Sequence, residues 1–138
     1  MNWKIAALML LAGSAVAADL PRSPSPSGAE LYFISPQDGA TLASPVTVRF
    51  GLKGMGVAPA GITMENTGHH HLLIDAALPP LDRPVPADAQ HVHFGKGQTE
   101  AAVTLAPGTQ RLLLLLGDHL HLPHDPPVVS KVITITVR

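Results

Sequence analysis

The chain has 138 residues, 9 Lys+Arg against 10 Asp+Glu, and no cysteine. That length suits one domain, and the lack of cysteine excludes disulfides, thiolate metal sites and a catalytic thiol. The near-neutral charge leaves no basic stripe for nucleic acid or an anionic membrane, and 4% aromatic residues offer no stacking platform for bases or sugars.

The N-terminus reads as a secretory signal. Lys4 supplies the positive start, Ile5–Leu11 the apolar core, and Ala15-Val-Ala17 a small-x-small cleavage site, so the mature chain is expected to begin at Ala18. No cysteine follows, which excludes a lipoprotein anchor. The apolar stretch is too short to span a bilayer comfortably. The expected location is periplasmic or secreted, with no membrane anchor after cleavage. Residues 18–29, rich in proline and serine, read as a flexible linker. A single domain is expected over 30–138.

Leu31–Ile34 reads as a short strand stopped by Pro36. In Pro45–Phe50, Val46, Val48 and Phe50 alternate with Thr47 and Arg49, the pattern of a half-buried strand. Residues 51–68 carry glycines at 51, 54, 56, 61 and 68 and read as loop. His69–Asp75 is a third strand. Residues 76–98, with prolines at 79, 80, 84 and 86, read as a long rigid arm carrying His91 and His93. Thr99–Leu105 is a strand. Arg111–Leu116 is apolar on both faces, hence a central buried strand, and Val128–Val137 is the last strand. No segment has a helical period. The expectation is an all-β, immunoglobulin-like β-sandwich of about seven short strands.

All 8 histidines lie between His69 and His124. They form three H-x-H units: His69/His71, His91/His93 and His119/His121. In extended chain, residues two apart share a face, about 6.5–7 Å apart along the strand. Two imidazoles so placed can converge on one ion, because metal–nitrogen bonds are about 2 Å. His91/His93 and His119/His121 lie out of phase with Val92/Phe94 and Leu120/Leu122, so the rings can leave the core. His70 shares its phase with Leu72 and Ile74 and reads as a buried or edge-capping histidine. The candidate metal ligands are therefore His69, His71, His91, His93, His119, His121 and His124. Asp75, Asp118 and Asp125 are candidate partners that would orient them. Imidazoles without thiolate suit copper(II), zinc, nickel and iron, and copper or zinc is the expected ion. Met55 and Met64 read as loop filler rather than soft donors.

Other chemistries find no support. There is no Gly-x-Ser-x-Gly elbow and no phosphate-cradling glycine loop. The β-sandwich of copper/zinc superoxide dismutase has an H-x-H strand pair, but this chain lacks that family's cysteines and remaining ligands. The predicted terminus, Ala18, is not the histidine that an N-terminal copper brace needs.

Tyr32–Ala40, Gly54–Asp75, His93–Glu100 and Leu115–Pro127 resemble the bacterial domain-of-unknown-function family numbered 4399. The resemblance extends over about residues 30–138 and implies a small exported domain with no established activity. Three functional classes follow from the residues. The first is metal storage, delivery or tolerance. The second is a metal-dependent enzyme with Glu100 or Asp125 as acid/base. The third is an interaction or pH-sensing module. The histidine set favours metal binding without catalysis, the metal ion being the one partner that the residues identify.

Overall fold

The computed structural model describes residues 20–138, so the signal segment and its cleavage site lie outside the described residues. Those described are all-β. Nine short strands follow in chain order: β1 Glu30–Ser35, β2 Thr41–Leu42, β3 Val46–Lys53, β4 Gly56–Val57, β5 Thr67–Ile74, β6 His91–His93, β7 Glu100–Val103, β8 Gly108–Gly117 and β9 Ile133–Val137. They form two sheets, β1-β3-β7 and β2-β9-β8-β5-β4, with β6 also paired to β5.

The sheets face one another as a β-sandwich. Leu31, Val46, Val48, Phe50 and Val103 of the small sheet share one core with Leu72, Leu112, Leu114, Leu116 and Ile135 of the large one. The alternation in β3 puts Val46, Val48 and Phe50 inward and leaves Thr47 and Arg49 exposed.

The run of five leucines explains the layering. In β8, Leu112, Leu114 and Leu116 enter the main core, while Leu113 and Leu115 emerge on the opposite face. That second face is also covered. Leu73, Leu115 and Val85 form a small cluster of their own, with Val85 supplied by the proline-rich segment after β5. A strand covered on both sides reads as a continuous apolar run.

The structure departs from the sequence reading in four places. The 76–98 segment is not loop throughout: His91–His93 pairs antiparallel with β5, His93 opposite His71 and His91 opposite Leu73. A three-residue strand beside prolines has too little pattern to be seen, and its pairing comes from the free edge of β5. Regular pairing in the last strand begins only at Ile133, Val129 making an isolated bridge to Leu115. The strand count is nine, because the two-residue β2 and β4 carry no periodicity at all. Finally, part of the Pro/Ser stretch is tied down. Asp125 N–H donates to Ser23 O at 3.0 Å and Ser25 N–H to Asp125 O at 3.1 Å, so this stretch lies alongside the segment after β8. Prolines there remove donors but leave carbonyls and serine hydroxyls to bond.

Candidate metal centre

The centre sits on the outer face of the large sheet, under the proline-rich segment. Register assembles it. His69 lies opposite Gly117 and His71 opposite Leu115 of β8, while His71 faces His93 across the other edge. Residues paired in register share a face, so His69, His71 and His93 project together with Leu73. The next residue in β5, His70, projects to the other side with Leu72. It is fully buried there, its ring 4.9 Å from that of Phe50.

The fourth ring arrives from a turn. His121 N–H donates to Asp118 O at 2.9 Å, and His121 takes the left-handed conformation with φ 63°. The segment is therefore not extended. His119 and His121 do not share a face as strand phase implied, because a turn breaks the alternation on which that inference rests. His121 is delivered alone. Its carbonyl accepts from Val85 N–H at 2.9 Å, which joins the turn to the proline-rich segment.

Four nitrogens meet. His121 Nδ1 stands 2.9 Å from His69 Nε2, 3.0 Å from His93 Nδ1 and 3.4 Å from His71 Nε2. The four ligand atoms lie within 4.8 Å of one another, a group that could hold a metal ion. Nitrogens ~2.0–2.1 Å from a tetrahedral ion stand about 3.3 Å apart; the three distances to His121 Nδ1 are already near that spacing, and the wider pairs, all within 4.8 Å, would close onto the ion.

Two carbonyls fix the ring tautomers. His71 Nδ1 lies 3.2 Å from Leu115 O, and His93 Nε2 lies 2.6 Å from Pro86 O. A carbonyl only accepts, so those ring nitrogens carry the protons and the inward nitrogens are bare lone pairs. His121 Nδ1 could donate to one of them at most. The cluster thus holds more acceptors than protons to share, the condition a cation relieves. His69 Nδ1 is buried with no partner.

Three of the rings, His69, His71 and His121, are also biased towards the neutral form. Burial lowers the His71 imidazole to about 2, helped by His69, His93 and His121 and opposed by the Leu115 carbonyl. Burial lowers His69 to about 4, with His121 and His93 pushing the same way and Asp118 opposing. His121 is lowered by burial and by His93, again against Asp118. Neutral imidazole is the form that binds metal.

Room for the cluster depends on Gly117. A Cβ there would lie 2.4 Å from His71 Cε1 and 3.3 Å from the His121 carbonyl carbon. No side chain fits without moving a ligand ring.

The other expected ligands lie outside this group. His91 Nδ1 donates to Asp88 Oδ1 at 2.7 Å. His119 is half-buried and lines a cavity of about 260 Å³ with Met64, Glu65 and His124. His124 is buried, and its Nε2 donates to Thr67 O at 3.1 Å. Among the three carboxylates, Asp118 is the one beside the centre. It is 2% exposed, and its Oδ1 accepts from Leu120 N–H and Leu122 N–H at 2.9 and 3.0 Å. It shapes the turn rather than bonding a ligand ring. Asp75 accepts from Arg111 N–H at the far end of β5, and Asp125 is exposed beside Arg22. Two groups that bear on the centre went unnoticed in the sequence, the Leu115 and Pro86 carbonyls, because main-chain acceptors leave no residue-type signal.

Residues 48–138 match a family model described as "Domain of unknown function (DUF4399)". No curated protein and no solved structure matches the chain.

Proposed function

The chain belongs to the DUF4399 family, whose description names no activity, so the functional reading rests on its own residues: we propose that it is an exported protein that binds one copper(II) or zinc ion through His69, His71, His93 and His121. Its role would be to store the metal, deliver it or limit its toxicity. The observation that carries this reading is the inward convergence of bare imidazole nitrogens, two of them committed by the Leu115 and Pro86 carbonyls. Imidazole nitrogen without thiolate suits both metals. Four protein ligands fill a four-coordinate shell and leave no position for substrate, which favours holding the ion over catalysis. Export rests on Lys4, the apolar run and Ala15-Val-Ala17.

Elemental analysis of the protein purified from its native compartment, followed by titration calorimetry at pH 7.5, tests this. The expected result is one copper or zinc per chain, lost when His69 and His71 are both changed to alanine. A parent protein that takes up neither metal would overturn it. The export half is tested by mass: the mature chain should begin at Ala18, and intact Met1 in a cytosolic fraction would refute it.

A further inference from the structure

Three of the four ligands are carried by paired strands, and the fourth by a turn that a strand cannot hold. What holds that turn comes from the other end of the chain. Ser23 Oγ donates to Asp118 Oδ2 at 2.7 Å, while Oδ1 of the same carboxylate accepts the two turn amides. Arg22 Nε donates to Pro123 O at 3.1 Å, and its Nη2 donates to His124 O. Arg22 also stands 3.7 Å from the Asp125 carboxylate. Ser25 Oγ donates to Pro126 O at 2.7 Å. The residues from Arg22 to Ser25 thus hold the segment from Asp118 to Pro126 by six hydrogen bonds, two of them between main-chain groups at Asp125, and by the Arg22–Asp125 ion pair.

A buried carboxylate needs its acceptor capacity filled. Asp118 fills it with two amides from within its own turn and one hydroxyl from outside. The Leu120 and Leu122 amides tie the chain to this carboxylate on either side of His121, and the Asp118 carbonyl takes the His121 amide. His121 is left in a left-handed conformation that a β-carbon resists. Such a conformation persists only where surrounding contacts over-determine it, and here those contacts are Asp118, the N-terminal segment and the Val85 amide.

From this we infer that Asp118 and the Arg22–Ser25 segment form a clamp that positions His121 as the fourth ligand, and that opening the clamp is the route by which the metal leaves. The inference rests on the four-histidine site proposed above. With His121 withdrawn, the ion is left on His69, His71 and His93, a three-nitrogen site with one open position, from which an acceptor's ligand can capture it. The N-terminal segment acts through His121 and makes no hydrogen bond to a ligand ring.

Cobalt(II) is the probe, because a four-coordinate cobalt ion absorbs visible light far more strongly than a six-coordinate one. Loss of cobalt from the full mature chain to excess EDTA gives the release rate. Ser23→Ala should speed release roughly tenfold, the lower end of what an outer contact contributes to metal affinity, and should weaken the visible band. Ser23→Thr, which keeps the hydroxyl, should restore both. With His121→Ala already present, Ser23→Ala should change neither, because the clamp then has nothing to position. Should Ser23→Ala fail to fold, Arg22→Gln carries the same expectations. Release at the parent rate with an unchanged band would overturn the clamp and leave the four-histidine site standing. So would equal acceleration with His121 already removed. A parent chain that binds neither cobalt, zinc nor copper would overturn both.

Discussion

The two faces of β5 carry the same residue type to opposite ends. On the outer face, His69 and His71 meet two further imidazoles, and their close nitrogens have a common target. On the inner face, one residue between them, His70 lies among Phe50 and the leucine core with both ring nitrogens unpartnered. A strand alternates, so three consecutive histidines cannot serve one site. The middle one is spent against apolar neighbours, and burial alone lowers it to about 4. The difference shows that a histidine count overstates a site: what makes a ligand is the face and the partner of its second nitrogen.

Acidification should produce the largest effect, and it acts on both faces. The pKa values of His69, His70 and His71 are all depressed in the fold, to about 4, 4 and 2. Above about pH 6.5 neither state binds their protons. Below it the unfolded chain takes them first, so stability falls as pH drops from about 6.5 towards 4. His69 and His70 stop contributing to the slope near 4, and His71 near 2. Each contributes up to about 1.4 kcal/mol per pH unit while it does so. Denaturant melts of the metal-free protein from pH 7.5 to 4.5 should show this loss, and His70→Leu should flatten the slope. A pH-independent midpoint would mean that the rings are less enclosed than the fold indicates.

Cutting the core should cost nearly as much without touching the ligands. Leu114→Ala removes a fully buried side chain from the inner face and should destabilise by about 2–5 kcal/mol. Metal affinity of the folded fraction should be unchanged. A loss of affinity as large as the loss of stability would show that the two faces are coupled.

The outer face answers to metal. At 100-fold excess over Kd, a ligand specific to the folded state stabilises it by about 2.7 kcal/mol. Copper(II) or zinc should raise the Tm at pH 7.5 and do less at pH 5, because metal binding by imidazole competes with protons. Gly117→Ala should remove most of that rise, because its Cβ collides with the His71 ring. Calorimetry and melts on the same samples separate this from unfolding. An unchanged metal-induced rise in Gly117→Ala would place the ion away from His71.

The smallest effect is expected at His70. Changing it to leucine removes two unpaired buried nitrogens at similar volume, so apo stability at pH 7.5 should hold or rise by about 1 kcal/mol. His70→Ala leaves a cavity instead and should destabilise. A large loss on His70→Leu would reveal a hydrogen-bond partner for that ring.

The β-sandwich was legible because its central strands obey simple patterns. Alternation exposes β3, and leucine on both faces exposes β8. The short edge strands were not legible, since two or three residues have no period. At the centre, the H-x-H rule placed His69 and His71 together because their segment is extended. It paired His119 with His121 wrongly, because Asp118 folds that segment into a turn. His91 and His93 share one face of β6, and the rule cannot choose between them. Asp88 engages His91 and the Pro86 carbonyl orients His93, and neither contact is visible without the path of the proline-rich segment.

The pairing of His71 with His93 has a consequence for association between chains. The large sheet ends in very short strands: β2 and β4 have two residues each, and β6 has three. None is long enough to template a neighbouring molecule, and together β4 and β6 shield the outer edge of β5 by pairing with five of its eight residues. A cation bridging His71 and His93 would staple β6 to β5 across that shield. Stripped of metal, the shield depends on three residues of pairing and the contacts of one proline-rich segment. Chelation should therefore make the protein more prone to aggregate before it makes it unfold, which light scattering at constant temperature can follow.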